Sequence, residues 1–146
     1  EGLGGIMVYL GRKPAARSHA EAAMALPYVL KGFAHVPPER WMQEAQTHYV
    51  EGSGGLDITY DPHLRHAVEA GGEVPALWPF FDALAGKPPC LIRGEGSDLL
   101  SAATAQKRQD RRPDMIYADV PDRGHVPFLD EPEAVAALVA WMEQMQ

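Results

Sequence analysis

Two residues of this chain, His125 and Asp98, are of types that could together do acid–base chemistry. His125 lies in the turn-rich segment 123–132, and Asp98 ends the glycine-containing segment 93–98. A neutral imidazole can take a proton from a nucleophile and return it to a leaving group. A carboxylate beside its other ring nitrogen fixes the tautomer and stabilises the imidazolium that forms. Taken singly, each residue is more typical of an ordinary loop or core position, so the prediction depends on the pair.

Such a relay needs a nucleophile, and the chain contains no Gly-x-Ser-x-Gly motif. Its serines are Ser18, Ser53, Ser97 and Ser101. None of them has the sequence context of the sharp elbow that exposes a nucleophilic serine in an α/β-hydrolase fold. Ser53, within Gly52–Gly55, is the nearest imitation, but it follows a predicted helix. The chain therefore holds two thirds of a possible catalytic triad.

The elements of the second half explain how the pair could meet. From residue 76 the pattern predicts a short helix over 76–85, strands over 89–93 and 115–120, and between them a helix from Ser101 to Arg112. A strand, a helix and a strand in this order form a parallel, right-handed unit. The loops at the carboxyl ends of both strands then lie at one edge, where open α/β sheets bind ligands. We therefore expect Asp98 and His125 to be neighbours.

Helices flank this unit on both sides in the sequence. A last helix is predicted to start at residues 130–133, with an apolar stripe of Val135, Leu138, Met142 and Met145. Before residue 75, a capping box at Ser18–Glu21 starts a helix toward Leu30 that Pro27 bends or divides. Pro37 and Pro38 start another helix, which should end at the glycines 52–55 and place Trp41, Ala45 and His48 on one face. Residues 56–60 alternate as a short extended segment.

The segments Cys90–Asp98 and Gly124–Pro132 resemble the late acid and histidine segments of the α/β-hydrolase superfamily. The resemblance is strongest to its lidded esterases, epoxide hydrolases and dehalogenase-like members. It implies that Asp98 is the triad acid and His125 the general base, with a nucleophile upstream of this chain. The implied fold class is α/β: the C-terminal part of an α/β-hydrolase, with a helical cap segment over 1–75, a β-α-β-α unit over 76–146 and an incomplete parallel sheet.

Three functions remain open on this resemblance. The first is an esterase-like serine hydrolase, the second an epoxide hydrolase or dehalogenase-like enzyme with an aspartate nucleophile, and the third a non-catalytic binding module. The enzymes would act on a small-molecule substrate without a cofactor, and this chain alone is expected to be inactive. The expected partner is the missing N-terminal half of the same protein, or a second copy bound through the open edge of the sheet.

The amino-acid composition excludes some classes of binding partner. A net charge of −7 and a pI near 5.3 argue against nucleic acid and against an anionic membrane. The clusters Lys107–Arg108 and Arg111–Arg112 are interpreted as a solvated helix face. Cys90 is the one cysteine and lies in an apolar run, which favours a packed free thiol and a cytoplasmic protein. The opening residues 1–5 lack a start methionine and a basic leader, which suggests a fragment.

Two other groups of residues could form a metal site or a substrate pocket. His63 and His66 have near-ligand spacing, but no third ligand is evident for a metal, so a solvated helix start is the favoured interpretation. The aromatics Trp78, Phe80 and Phe81 precede the first strand of the unit and could line a substrate pocket. Packing between cap and sheet is the simpler interpretation of that cluster.

Overall fold

The helices and strands of the chain fall into two separate units, residues 1–74 and 75–146. The computed structural model describes residues 6–7, 9–72 and 75–145. The opening residues 1–5, on which the suggestion of a fragment depended, lie outside the described residues. No helix within the described ranges is long and apolar enough to cross a bilayer.

The first unit begins with two helices, α1 (His19–Val29) and α2 (Pro38–His48). The capping box is present in a modified form: Ser18 Oγ accepts the Glu21 backbone N–H at 3.2 Å, while Glu21 Oε2 accepts the N–H of Arg17 at 2.7 Å. Pro27 lies inside α1, which continues undivided to Val29. The proline is tolerated because it falls in the last turn, where few residues follow.

A β-hairpin follows α2, so the predicted end of this helix was wrong, whereas the predicted extended segment from residue 56 is confirmed as far as Ile58. Helix α2 ends at His48, and residues Tyr49–Gly52 form strand β1 instead of continuing it. Strand β2 (Gly55–Ile58) pairs with β1 in antiparallel register, Tyr49 opposite Ile58. The glycines at 52 to 55 therefore turn a hairpin. A seven-residue helix, α3 (Leu64–Ala70), comes next.

The core of this unit is small and rich in alanine. Its buried members come from both helices and the hairpin: Ala22, Ala23, Leu26, Trp41, Ala45 and Leu56. Phe33 contacts Trp41 edge-on, with ring centroids 5.8 Å apart. The predicted face of α2 is confirmed for Trp41 and Ala45, but the His48 side chain is 54% exposed and lies near Glu44. His48 is polar enough to leave the core at the end of the helix.

The second unit has the predicted order of elements. They are α4 (Trp78–Asp82), β3 (Cys90–Gly94), α5 (Ala102–Arg111), β4 (Ile116–Val120) and α6 (Pro132–Glu143). Helix α4 is shorter than the predicted 76–85, and Pro79 lies in its first turn, where proline is favoured. Ser101 caps α5, its Oγ accepting the Thr104 N–H at 3.2 Å.

Strands β3 and β4 pair in parallel, with Cys90 opposite Ile116 and Gly94 opposite Val120. Helix α6 packs against both strands. Its Trp141 Nε1–H donates to Pro88 O at 2.8 Å, which fixes the chain entering β3. Burial raises the pKa of the Cys90 thiol, as expected of a packed cysteine.

The buried face of α6 differs from the predicted stripe. Ala134 and Ala137 are buried, whereas Val135, Met142 and Met145 are exposed by 44, 49 and 52%. Small residues let the helix approach the strands closely, and Val135 and Met142 point into solvent. The stripe therefore identifies an apolar surface of this unit and not its core.

The basic clusters are also only partly solvated. Arg112 is 8% exposed, with Nη2 donating to Lys87 O at 2.7 Å and to Asp114 Oδ2 at 2.6 Å. Arg111 pairs with Asp82 and lies 4.6 Å from the centroid of the Trp78 ring. These contacts hold the end of α5 to the segment that precedes β3. The interpretation as a solvated face was wrong for Arg112, whereas Arg111 is exposed although it is paired.

Candidate functional site

The loops that follow β3 and β4 meet, as the topology predicts. The Glu95 N–H donates to Val120 O at 2.9 Å, and the Gly96 N–H donates to Arg123 O at 2.9 Å. Gly94 lies directly against the backbone of the second loop. A Cβ at this position would come within 2.5 Å of Arg123 O and would also collide with Gly124 O. Glycine is therefore required for the two loops to come together.

His125 is exposed on the second loop, and its nearest polar neighbour is a serine. Ser97 Oγ lies 3.4 Å from His125 Nδ1. Asp98, one residue further along, is exposed, and its carboxylate has no hydrogen bond or ion pair with any residue the structure describes. The expected closeness of the two loops is confirmed, but the contact to the imidazole comes from Ser97. The role of Asp98 as the acid stays a prediction.

A buried arginine shapes the loop that carries Ser97 and Asp98. Arg93 is 6% exposed, and its Nε–H donates to Leu100 O at 2.7 Å. Its Nη1 donates to Asp119 Oδ1 at 2.7 Å, and its Nη2 donates to Glu95 O at 3.0 Å. One planar guanidinium thus binds both ends of the loop and the neighbouring strand, which only arginine's fork of donors can do.

A buried glutamate stabilises the loop that carries His125, as Arg93 stabilises the loop that carries Ser97. Glu131 is 7% exposed and precedes α6. Its Oε1 accepts from Arg123 Nε at 2.6 Å and from the Phe128 N–H at 3.1 Å, and its Oε2 accepts the Leu129 N–H at 2.9 Å. The carboxylate therefore links the Arg123 side chain to the backbone at Phe128 and Leu129 and holds the two ends of this loop together.

Replacing Glu131 by Gln should lower the free energy of unfolding by about 2 kcal/mol. The amide cannot pair with the Arg123 cation, and its NH2 group would face a backbone N–H that now lacks an acceptor. Urea unfolding of the protein measures the loss. Glu133→Gln is the matched control, because Glu133 is exposed in the first turn of the same helix. Equal midpoints for the two variants would contradict this role of Glu131.

Sequence reasoning missed Arg93, Glu131 and the contact of Ser97. A signal for Arg93 existed, since a charged residue at the end of an apolar strand implies a buried partner. Asp119 stands opposite Arg93 in the register of the two strands. Glu131 precedes Pro132 at the position of a helix cap, but its side chain turns back toward the loop and makes no cap bond. That direction depends on the loop's path and cannot be read from the sequence.

The other candidate sites gain no support. His63 Nδ1 lies 2.8 Å from Asp61 Oδ1, and its ring contacts His66 at a centroid distance of 5.5 Å. Within the described part of the chain, no group of three or more His, Cys, Asp or Glu side chains could hold a metal ion. Trp78 and Phe81 pack edge to face at 6.0 Å, and Phe80 is 67% exposed.

The known proteins to which this chain is similar are hydrolases. A search against protein-family models gives no match. The chain is 32% identical over 143 residues to a 3-hydroxybutyrate-oligomer hydrolase of Cupriavidus necator, covering 90% of this chain and 48% of that protein. It is 37% identical to an α/β-hydrolase of known structure from Novosphingobium aromaticivorans, with a TM-score of 0.84, covering 98% of this chain and 52% of that one.

A third structure extends the likeness at lower identity. An E-2-(acetamidomethylene)succinate hydrolase matches with a TM-score of 0.64 and 23% identity over 97% of this chain and 52% of that chain, which supports the fold alone. The chain spans about half the length of each of these relatives. The matches run through both units and include the loops that carry Asp98 and His125, since they cover almost the whole chain. The chain belongs to the α/β-hydrolase superfamily and has a partial α/β-hydrolase fold.

Proposed function

We propose that this chain is the C-terminal part of an esterase-like serine hydrolase, in which His125 is the general base and Asp98 its acid. The observation that carries the proposal is the meeting of the two loops, which brings the first within 3.4 Å of the His125 ring. The exposure of His125 supports the same role, because a general base must reach a substrate. In this proposal residues 1–75 form a helical cap segment.

An ester is the substrate class that we favour. The relative from Cupriavidus necator is a 3-hydroxybutyrate-oligomer hydrolase. Hydroxy acids oligomerise through esters between the hydroxyl of one unit and the carboxyl of the next. Ester cleavage by a serine proceeds by attack on the carbonyl, departure of the alcohol with a proton from the histidine, and attack of water on the acyl-enzyme. His125 would take and return the proton in both halves of that cycle.

The nucleophile is proposed to come from a part of the protein that precedes these residues. None of the four serines of the chain stands in a Gly-x-Ser-x-Gly motif. The chain by itself would then be inactive. We use the term intact protein for the longest polypeptide that contains these residues in its natural source.

The test is hydrolysis by the intact protein. We expect turnover of short-chain esters and of 3-hydroxybutyrate oligomers, with one serine outside this chain labelled by a fluorophosphonate. Turnover of epoxides or haloalkanes without such labelling would favour an aspartate nucleophile instead. Absence of turnover on all three substrate classes, with the protein folded, would favour a binding module and overturn the proposed function.

We propose that the same preceding segment completes the parallel sheet. In the described ranges this sheet consists of β3 and β4 alone, and parallel sheets are normally covered on both faces. The exposed apolar residues of α6, Val135, Val139 and Met142, also favour a covering segment.

Association through the open edge of the sheet is the alternative for a chain that lacks the segment. Intact mass and size-exclusion measurements on the 146-residue chain distinguish the two. We expect either a self-associated species or a complex with a second fragment. A stable monomer would contradict the need for a partner. The cytoplasm is the compartment that we propose, because the single cysteine cannot form a disulfide within the chain.

A further inference from the structure

The contact between Ser97 and His125 has no role in the relay described above. Ser97 follows the turn that ends β3, and its backbone N–H donates to Gly94 O at 2.9 Å. Its side chain is held as well, since Oγ accepts the Leu100 N–H at 3.0 Å. The residue is therefore held by two bonds of its own loop, one of them to Oγ, which lies 3.4 Å from Nδ1 of His125.

The hydrogen-bonding capacity of a hydroxyl decides what this contact can do. A serine hydroxyl has two lone pairs and one hydrogen. The Leu100 N–H occupies one lone pair, so the second is available to the imidazole. If Nδ1 carries the ring proton and donates it to that lone pair, Nε2 is left unprotonated. Nε2 is then the atom that can accept a proton from a nucleophile.

We propose that Ser97 is a positioning residue that accepts the Nδ1–H of His125 and so selects the tautomer that acts as a base at Nε2. This inference rests on the proposed function, because it matters only if His125 is the general base. Asp98 supplies the charge that favours the imidazolium formed during the reaction, while Ser97 holds the neutral ring before it. The task assigned to a triad acid is thereby divided between two adjacent residues.

Arg93 makes this division possible. By binding Glu95 O and Leu100 O, its guanidinium fixes both sides of the turn that presents Ser97. The loop cannot rotate to exchange Ser97 for Asp98 without breaking those bonds.

The first test measures the tautomer directly in the intact protein, through the 15N chemical shifts of the two ring nitrogens of neutral His125. We expect the Nδ1–H form to predominate in the wild type and in Ser97→Thr, which keeps the hydroxyl. Ser97→Ala should shift the population toward Nε2–H, the form that an unbonded imidazole prefers. An Nε2–H form in the wild type, or an unchanged ratio in Ser97→Ala, would overturn the proposal.

The second test is kinetic and uses a matched serine. Ser97→Ala should lower kcat/KM about tenfold, the effect expected from the loss of one neutral hydrogen bond. Ser101→Ala is the control, because Ser101 caps α5 and bonds to Thr104 instead of His125. It should leave both the tautomer and kcat/KM unchanged.

The outcomes separate this inference from the proposed function. A loss in Ser97→Ala as large as that of His125→Ala would make Ser97 a nucleophile and overturn its positioning role. A tautomer shift in Ser97→Ala, combined with full activity of His125→Ala, would leave the contact established and sink the general-base assignment. Full activity of Ser97→Ala, together with loss of activity in His125→Ala, would refute this inference and leave the proposed function standing.

Discussion

Replacing His125 with Ala in the intact protein should lower kcat/KM for ester hydrolysis by about 1,000-fold, within the range that general acid–base catalysis contributes. This corresponds to about 4 kcal/mol of lost transition-state stabilisation. The imidazole is exposed, so its removal leaves no cavity and deprives no buried group of a partner. Steady-state kinetics, with the thermal midpoint measured on the same samples, check both statements.

His63→Ala is the matched control for this variant. His63 is also exposed and also lies beside an aspartate, with Nδ1 2.8 Å from Asp61 Oδ1, but it belongs to the first unit. Its replacement should leave kcat/KM unchanged. If His125→Ala and His63→Ala retain equal activity, His125 has no catalytic role and the proposed function loses its main residue.

Gly94→Ala should lower the free energy of unfolding by about 3 kcal/mol, the upper part of the usual range for overpacking. The added methyl would lie within 2.5 Å of Arg123 O and 2.8 Å of Arg123 C, besides colliding with Gly124 O. All three are backbone atoms, so no side chain can rotate to make room. The two loops would have to separate, and activity should fall together with stability.

Gly54→Ala distinguishes this steric effect from the general consequences of losing a glycine. Gly54 lies in the turn of the hairpin, where an added Cβ meets no atom within 4 Å. Urea unfolding of the two variants gives the comparison. A cost for Gly94→Ala no larger than that for Gly54→Ala would show that the loops do not approach as closely as described.

The parallel unit was predictable because its signals are local and independent. Cys90, Leu91 and Ile92 form an apolar run, Ser101 caps the helix that follows, and a second apolar run begins near Ile116. Each signal fixes one element, and the handedness of such units then determines which loops meet. The structure confirms that the loops carrying Asp98 and His125 come together.

The identity of the residue that touches the ring was not predictable. Ser97 and Asp98 are adjacent, and the choice between them depends on how the loop turns after Gly94. That turn is set by the bonds of Arg93 to Glu95 O and Leu100 O. These are contacts between a side chain and backbone atoms, which leave no periodic pattern in the sequence.

The prediction was wrong for the first strand of the hairpin and for the buried face of α6, and the reasons are related. Residues 49–52 directly follow helix α2, and the local sequence does not mark the end of that helix. Pairing with β2, which is a tertiary interaction, makes these residues a strand. In α6 the larger apolar residues suggested the buried face. Ala134 and Ala137 are buried instead, because small side chains let this helix pack closely against the strands.

The central claim is that Asp98 and His125 act as one relay at the meeting point of two loops. The measurement that tests it most directly is kcat/KM of four forms of the intact protein: the wild type, Asp98→Asn, His125→Ala and the double variant. Residues that act as a unit are strongly non-additive. We predict that Asp98→Asn loses activity and that the double variant is no slower than His125→Ala. Full activity of Asp98→Asn, or losses that multiply in the double variant, would contradict the relay.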